Sequence, residues 1–330
     1  MGKRNPLTTD KPENLYRLFG VTMASDYPFA TPLLRVSGIP DLSFTCRNKP
    51  VSLTGLTRKP VFASANKNAG GESVGSICKT KTGYLVHYAG IADFSLSSNA
   101  IIAHVRDPAY RYMIEILLLG EIFSLWLELR GIRTLHASAA VVDHTAIAFL
   151  ATNKGGKSGL AATLAQHGHR ILADDIVPVE DQNDRFLARP GYPAMRMWPD
   201  MAEHFLGTYE DLELVHPEHS KRIVPVGPHG FGRFCPQKQP LKVIYLPHRL
   251  SPEQDITIQP VSKKDAFFAL LQNSFTVGVV EALGLQPQRM DFFSRMVTQV
   301  PVRHLYYPEG FLHLPRVADA ILGDIESLPL

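Results

Sequence analysis

The sequence predicts an α/β chain of mixed α+β type, with a small β-rich N-terminal domain (residues 1–104) and a larger domain (residues 105–330). Three observations predict it. Short apolar runs separated by polar residues, glycine and proline fill the first third, which is typical of strands and turns. The acid before a proline at Asp107-Pro108 indicates the start of a long helix that joins the domains. Beyond that helix, strand-like apolar runs alternate with helix-like segments.

The composition is that of an ordinary globular protein of 330 residues, with 45% hydrophobic and 20% charged residues. A chain of this length can bury a sizeable core without disulfides or metals. Cys46, Cys78 and Cys235 are widely spaced and form no CxxC pair, so we expect a reducing, cytoplasmic compartment. The stretch MGKRNPLTTDKPENLY lacks an apolar core, so we do not expect a secretory signal.

Two classes of partner find no support in the sequence. The net charge is only +3, and no basic run is interleaved with aromatic residues, so we expect no nucleic-acid partner. Residues 112–129 are apolar over a length that suggests a membrane span. Glu115 and Glu121 lie inside this segment, and each would be costly in hydrocarbon. We therefore expect no membrane span but a buried helix over residues 108–129, with Gly131 as its C-cap.

The stretch FLATNKGGKSGLAATL (149–164) approaches the phosphate-binding pattern G-x-x-x-x-G-K-S/T, in which backbone N–H groups converge on a phosphate. Gly156, Lys157 and Ser158 match the pattern, whereas Ala151 stands in place of the first glycine. Lys157 would reach the β- and γ-phosphates of a nucleotide, and the Ser158 hydroxyl would hold Mg²⁺. Alanine fails at its position only if the backbone there needs a positive φ.

The flanks of this loop distinguish a nucleotide site from a chance glycine turn with an exposed lysine. Residues 135–142 and 146–151 predict two strands joined by a tight turn at Asp143-His144, and the segment SGLAATLAQHG predicts a helix after the loop. A chance turn would seldom have this context on both sides, so we favour the nucleotide site. Further along, the sequence predicts strands at 240–247 and 302–308 and helices at 265–275, 291–300 and 314–327.

Asp174 and Asp175 follow at a strand end, in ILADDIVPVE. Two adjacent acids on a strand alternate in direction. One could therefore coordinate Mg²⁺ while the other accepts the proton of a hydroxyl nucleophile. A pair of turn or cap aspartates is the ordinary alternative. The position of the pair one short helix after the loop favours the catalytic interpretation.

Several other side chains are weaker candidates. His136 lies on a predicted apolar strand with Ser138 on the same face, where a histidine is more often a hydrogen-bonded core residue. Arg189 and Arg196 flank the constrained turn in ARPGYPAMRMW, and an arginine there would neutralise the charge of a transferring phosphate. A surface position is the default for both arginines. Lys221 belongs to a basic pair that predicts a solvated face.

Residues 135–175 resemble the catalytic core of HPr kinase/phosphorylase in the order and spacing of these motifs. The stretches YRLFGVTMASDYPF, GYPAMRMWPD and VPVRHLYYPEGFLHLPRV are similar to a broader group of HPr-kinase-like bacterial proteins. That group includes kinases that phosphorylate a serine of lasso-peptide precursors. The segment FLARPGYP occupies the place of a Glu-Ile-Arg-Gly-Leu-Gly type signature of the family. The resemblance therefore does not extend to the phosphorylase reaction or to HPr as the substrate.

The resemblance implies a phosphoenolpyruvate-carboxykinase-like P-loop kinase domain, in which a mixed sheet carries the loop. It implies that Ser158 and Asp175 bind Mg²⁺. It also implies that Asp174 is the base toward the acceptor hydroxyl and that His136 tunes this base. The predicted nucleotide-binding residues are Asn153, Lys154, Gly155, Gly156, Lys157, Ser158 and Gly159.

Together these observations predict an ATP- and Mg²⁺-dependent kinase that acts on a hydroxyl, with serine as the first choice, of a peptide, a protein or a small metabolite. The predicted catalytic residues are Asp174, His136, Arg196 and Arg189. Another nucleoside triphosphate in place of ATP and a homo-oligomeric state stay open. The alternative is a catalytically inactive nucleotide-binding protein of the same fold that regulates or binds a partner.

Overall fold

The computed structural model describes residues 14–49, 59–152, 155–182, 185–275 and 277–328. Within these residues the chain is a mixed α/β protein with several sheets. The N-terminal part forms one sheet, the later part forms a second sheet flanked by helices, and three further strands form a small third sheet. The prediction of a mixed α/β chain with a β-rich N-terminal part is confirmed at this level.

The first sheet contains both antiparallel and parallel pairs. Its spatial order is β3-β1-β2-β4-β9-β8-β7-β6-β5, and β4 runs parallel to both of its neighbours, β2 and β9. The strands are β1 (Leu15–Leu18), β2 (Val21–Ala24), β3 (Leu34–Arg35), β4 (Leu42–Arg47), β5 (Phe62–Ala63), β6 (Gly75–Lys79), β7 (Tyr84–Tyr88), β8 (Ala92–Leu96) and β9 (Ala100–Val105).

The connecting helical segment is interrupted, and the prediction of one continuous helix over residues 108–129 is wrong. Gly120 has φ −107° and ψ −109°, which is outside the helical region, and the turn around it is a wider π-helical turn. Glycine permits this departure because it has no Cβ. The pieces are a 3₁₀ turn (Pro108–Tyr110), α1 (Met113–Leu117), the π-helical turn (Leu118–Ile122) and α2 (Phe123–Glu128).

The two acids of this segment have specific partners. The buried Glu115 carboxylate accepts hydrogen bonds from the backbone N–H groups of Ala30 (2.9 Å) and Thr31 (2.7 Å). Glu121 accepts a hydrogen bond from the Tyr88 hydroxyl at 2.8 Å. The contacts of Glu115 explain why its charge is tolerated in an apolar segment, since a buried charge needs hydrogen-bond partners, whereas Glu121 is exposed to solvent. In the part of the chain that the structure describes, no helix has the length and apolarity needed to cross a membrane.

The first hydrophobic core joins the N-terminal sheet to the connecting segment. Phe44 and Phe94 of the sheet belong to the same buried cluster as Phe123 and Trp126 of α2, and Ile176 extends this cluster into the later part of the chain. The packing is therefore continuous across residue 104. The division of the chain into domains at residues 1–104 and 105–330 stays a prediction.

The rest of the chain supplies the second and third sheets and the remaining helices. The elements are β10 (Arg133–Leu135), β11 (Ala137–Val142), β12 (Thr145–Leu150), α3 (Lys157–Gln166), β13 (Arg170–Ala173), β14 (Val177–Gln182), β15 (Arg185–Ala188), β16 (Ala194–Met197), α4 (Pro199–Leu206), β17 (Leu214–His216), β18 (His219–Pro225), β19 (Arg233–Phe234), β20 (Gln239–Leu250), β21 (Thr257–Pro260), α5 (Lys263–Gln272), α6 (Val277–Ala282), α7 (Gln286–Gln299), β22 (Val302–Pro308), a 3₁₀ turn (Phe311–His313) and α8 (Leu314–Ser327).

The second sheet is mixed and is covered by helices on both faces. Its order is β10-β14-β15-β20-β12-β11-β13-β19, with β22 beside β20, and β16, β17 and β18 form the third sheet. The central strand β12 pairs antiparallel with β11 and parallel with β20. Ile147 and Phe149 of β12 join the core under α3 and α8, whereas Ala146, Ala148 and Leu150 join the core under α5 and α7. This alternation is the period of two that a strand buried on both faces requires.

The local predictions around the loop hold. Asp143 and His144 both have positive φ, 44° and 61°, as the tight turn of a two-residue hairpin requires. The loop follows β12 and opens α3, as expected. Asp174 and Asp175 follow the end of β13, as predicted, and Asp175 turns the chain at φ 70° before β14 begins. The predicted strands at 240–247 and 302–308 and the three later helices are present, whereas α4 and α6 were not predicted.

We expect His87 to make the stability of the N-terminal sheet depend on pH. The hydrogen bond from His87 Nδ1 to the fully buried Asp93 carboxylate (2.7 Å) raises the histidine pKa above its ordinary value of 6.5, against the effect of burial. A raised pKa contributes stability that is fully present below about pH 6.5 and is lost as pH rises through the folded-state pKa. We expect the free energy of unfolding, measured by urea denaturation, to fall more between pH 6 and pH 8 for the wild type than for His87→Gln. Equal falls would contradict this assignment.

Candidate functional site

A cavity of about 570 Å³ lies where β12 ends and α3 begins. Several separate segments contribute to its wall, which combines charged side chains and the glycine-rich loop with apolar side chains such as Trp198, Met201 and Phe311. The residues on which its chemistry depends are His136, Gly155, Gly156, Lys157, Ser158, Asp175, Arg196, Lys221 and Arg249.

Two glycines, Gly155 and Gly156, shape the end of the loop between β12 and α3. Gly155 N–H donates to the Thr152 carbonyl at 3.2 Å, and Gly156 at φ 85° is the N-cap of α3. The first backbone N–H groups of a helix have no acceptor within the helix, so they are free to bind an anion. Asn153 and Lys154, which the sequence assigns to nucleotide binding, lie outside the described residues.

Ala151 is compatible with this loop. The described backbone at Ala151 is not in the positive-φ region, so the conformation needs no glycine there. Its methyl group instead fills the space beside Gly155. A Cβ on Gly155 would stand 2.5 Å from Ala151 Cβ and 3.0 Å from the Thr152 carbonyl oxygen. The need for glycine therefore falls on position 155.

Gly156 is required for two reasons. Its φ of 85° strains any other residue, and a Cβ there would stand 2.3 Å from the Tyr307 hydroxyl oxygen. The same Cβ would lie 3.5 Å from Nε and Nη2 of Arg249. Tyr307 and Arg249 therefore lie directly against the loop backbone.

Lys157, the first residue of α3, is buried against the loop that precedes it. Its ammonium donates to the carbonyls of Ala151 (2.7 Å) and Thr152 (3.0 Å) and to His136 Nε2 (3.1 Å). Burial lowers the pKa of the ammonium, and the carboxylates of Asp175 and Asp174 oppose this. The side chain of Lys157 thus presents a cation at the base of the cavity.

The hydrogen bonds of His136 assign its tautomer. Because the Lys157 ammonium can only donate, Nε2 of His136 is the acceptor and the proton lies on Nδ1. Nδ1 donates to the Asp175 carbonyl at 3.1 Å and lies 3.5 Å from the Asp175 carboxylate. His136 therefore links the loop lysine to the acid after β13.

Asp174 is buried beneath the cavity and has partners on three other elements. Its carboxylate accepts from the Ser138 hydroxyl on β11 (2.5 Å), the Ser158 hydroxyl on α3 (2.8 Å) and the backbone N–H of Arg196 on β16 (2.7 Å). Only 4% of this residue is exposed. The Ser138 hydroxyl, which the sequence places on the strand face of His136, is thus part of the site.

Asp175 faces the cavity instead. Its carboxylate pairs with Nη1 of Arg196 at 2.8 Å, and 21% of its side chain is exposed. Burial raises the pKa of this carboxyl, but the charges of Arg196 and Lys221 outweigh burial and leave the pKa below its ordinary value. Asp175 is therefore an ionised carboxylate that a bound molecule can reach.

The structure brings His136, Lys157, Ser158, Asp174, Asp175 and Arg196 together, but not Arg189. Arg189 pairs with Glu180 (Nε to Oε2, 2.6 Å) and lines a different cavity of about 880 Å³ beside α7. Arg189 follows β15 and Arg196 lies on β16, and the turn between them directs the two side chains to different places. The expectation that both arginines meet the phosphate is not met for Arg189.

Three cavity residues were missed or dismissed by sequence reasoning. Lys221 was assigned to a solvated face, yet it lines the cavity from β18. Arg249 and Tyr307 lie at the ends of β20 and β22, where no local motif marks them. Their position follows from strand register, which a single sequence does not reveal.

The oxygen donors suit a magnesium ion that completes its shell with phosphate. Among the described residues there is no group of three or more histidine, cysteine, aspartate or glutamate side chains that could hold a metal alone. Mg²⁺ is commonly bound by one or two carboxylates together with substrate phosphates and water. Asp174 offers one carboxylate for this purpose, and the Ser158 hydroxyl oxygen, 2.8 Å from it, offers a second oxygen ligand. The hydrogen-bond partner of Ser158 is thus Asp174, whereas the resemblance implies that Ser158 binds Mg²⁺ together with Asp175.

Comparisons with known proteins identify no family. No family model matches the chain, and no curated protein matches it. Among solved structures, the chain is similar to an HPr(Ser) kinase/phosphatase from Coxiella burnetii, with 12% sequence identity and a TM-score of 0.31. The match covers 59% of this chain and 96% of that chain. This likeness is distant, and it carries no conclusion about activity.

We expect Gly156→Ala to destabilise the protein more than Gly168→Ala does. Both glycines have a similar φ, 85° and 90°, but a Cβ on Gly168 meets nothing within 4 Å. The backbone strain of an alanine at such a φ, about 1–2 kcal/mol, is therefore common to both variants. The additional loss in Gly156→Ala measures the contact with Tyr307, and adding Tyr307→Phe should recover part of it. Equal urea denaturation midpoints for the two glycine variants would contradict the loop geometry.

Proposed function

We propose that the cavity binds a nucleoside triphosphate, ATP by first choice, and that the protein transfers its terminal phosphoryl group to a hydroxyl. The acceptor class is a serine or similar alcohol of a peptide, a protein or a small metabolite. One observation carries the proposal: the phosphate loop, its lysine, Ser158 and the accessible carboxylate of Asp175 meet in one cavity, and Asp174 lies beneath it, hydrogen-bonded to Ser158. Phosphoryl transfer needs this combination, because its catalysis is mostly positioning and charge neutralisation.

In this proposal Ser158 and Asp174 hold Mg²⁺ together with the phosphates. When bound, the ion would neutralise negative charge that develops on the phosphate oxygens. The loop N–H groups at the start of α3 and the Lys157 ammonium bind the phosphates from the protein side. Lys157 exchanges its present hydrogen bonds to the Ala151 and Thr152 carbonyls for phosphate oxygens.

Asp175 is the better candidate for the general base. It lines the cavity and is ionised, so an acceptor hydroxyl can donate its proton to it, whereas Asp174 does not line the cavity. His136 holds the backbone of Asp175 through Nδ1, and Arg196 holds its carboxylate. The roles that the resemblance implies for the two aspartates are thereby exchanged.

The sheet supports a phosphoenolpyruvate-carboxykinase-like domain as the fold of this proposal. The strand before the loop, β12, has an antiparallel neighbour, β11, and a parallel neighbour, β20. A mixed sheet around the phosphate loop is what the resemblance implies, in place of an all-parallel sheet.

We expect Lys157→Ala to weaken the binding of ATP with Mg²⁺ by about ten- to a hundred-fold, the range of a lost hydrogen bond to a charged group. Calorimetric titration measures it directly. Lys264→Ala, an exposed lysine on α5, is the matched control and should bind as the wild type does. Equal affinities of the wild type and Lys157→Ala for ATP, or no binding to either protein, would contradict the proposed nucleotide site.

We expect Asp175→Asn to retain ATP binding but to lower phosphoryl transfer by about 10²–10⁴-fold, the usual contribution of a general base. Asparagine tolerates the positive φ at this position. The assay follows labelled γ-phosphate from ATP to serine peptides, free serine and water. Asp143→Asn, at an exposed aspartate that also has a positive φ, is the control. If the wild type binds ATP but labels no acceptor, the inactive nucleotide-binding protein is the better description.

A further inference from the structure

We infer that Arg249 binds the terminal phosphates of the nucleotide, as a second cation opposite Lys157. This inference rests on the proposed function, and it assigns a residue that no sequence motif marks. It is carried by the register of three neighbouring strands, by the contacts at Gly156 and by the charge of the cavity wall.

Strand register brings Arg249 to the loop. β20 runs parallel to β12, and Tyr245 pairs with Phe149 near the end of β12. β20 then continues to Leu250, so Arg249 lies four positions further, about 13 Å along the strand at the usual rise per residue. The chain after β12 turns into the loop over this distance. A side chain at the end of β20 therefore stands beside the loop and not beside the strand.

Arg249 also lies on the face of β20 that points toward the start of α3, as binding beside the loop requires. Val243 and Tyr245 of β20 point into the core under α3 and α8. Side chains two apart share a face, so Arg249 belongs to the face on which α3 begins. Its register partner on β22 is Tyr307, which is buried in the same core.

Tyr307 positions the guanidinium against the loop. Its hydroxyl lies 2.3 Å from the place of a Gly156 Cβ, and Nε and Nη2 of Arg249 lie 3.5 Å from the same place. The Arg249 guanidinium interacts with the Tyr307 hydroxyl, and Nη1 lies 3.4 Å from Glu309. Its side chain is 41% exposed. The guanidinium is thus oriented at the cavity mouth and retains N–H groups that a ligand can reach.

Because Arg249 lies next to Gly156, we expect it to contact the phosphates of the nucleotide rather than its sugar or base. In loops of this pattern the lysine that follows Gly156, Lys157, contacts the β- and γ-phosphates, and the hydroxyl of Ser158 holds the Mg²⁺ bound to them. An arginine presents several N–H donors in a planar fork that matches phosphate oxygens. Arg249 therefore adds affinity for nucleotides with more than one phosphate and adds little for a monophosphate.

The experiment is calorimetric titration of ATP, ADP and AMP, each with Mg²⁺, into the full-length wild type, Arg249→Ala, Arg249→Lys and Lys157→Ala. We expect Arg249→Ala to bind ATP about ten- to a hundred-fold more weakly and AMP within about two-fold of the wild type. Arg249→Lys should recover part of the loss, because it restores the charge without the fork. Tyr307→Phe should weaken ATP binding in the same direction by a smaller factor. Arg185→Ala, an exposed arginine at the start of β15, is the control.

The outcomes separate the two proposals. If Lys157→Ala loses ATP binding but Arg249→Ala binds ATP as the wild type does, the assignment of Arg249 is wrong and the nucleotide site stands. If Arg249→Ala weakens ATP, ADP and AMP equally, Arg249 does not read the terminal phosphates, and the assignment is again wrong. If the wild type binds none of the three, the proposed function fails and the assignment fails with it. Thermal denaturation without nucleotide shows whether each variant is folded, and the lysine variant provides the test if the alanine variant is not.

Discussion

The buried carboxylate of Asp174 is the interaction on which the candidate site depends. A buried carboxylate is stable only when hydrogen-bond donors surround it. Here the donors come from Ser138 on β11, Ser158 at the start of α3 and the Arg196 backbone on β16. Satisfying one charge therefore fixes a strand of the second sheet, the helix after the loop and the edge of the third sheet relative to one another. The adjacent Asp175 is then turned into the cavity by its positive φ.

The mixed second sheet gives the site its two sides. The antiparallel neighbour of β12 supplies His136 and Ser138, which lie before and on β11 and reach the lysine and the acids. The parallel neighbour β20 continues past the end of β12 and supplies Arg249 beside the loop. The antiparallel strand β11 begins beside the end of β12 that leads into the loop, whereas the parallel strand β20 continues past that end. The two kinds of pairing therefore bring different chemistry to the same strand end.

Local signals in the sequence were sufficient for the elements nearest the loop. The turn at Asp143-His144, the strand before the loop and the helix after it depend on neighbouring residues, and each was predicted. Contacts between distant residues were not accessible in this way. Nothing in ARPGYPAMRMW distinguishes Arg196, which meets Asp175, from Arg189, which meets Glu180. The break at Gly120 was missed because the apolar pattern around it continues as in a regular helix.

The central claim is that a nucleoside triphosphate occupies the loop cavity. The most direct measurement is a crystal structure with Mg²⁺ and a non-hydrolysable ATP analogue at saturating concentration. The account predicts density for the phosphates over the loop, between Lys157 and Arg249, with the metal beside Ser158 and Asp174. Density for the analogue only in the cavity beside α7 that Arg189 lines, or no density at all, would contradict the claim.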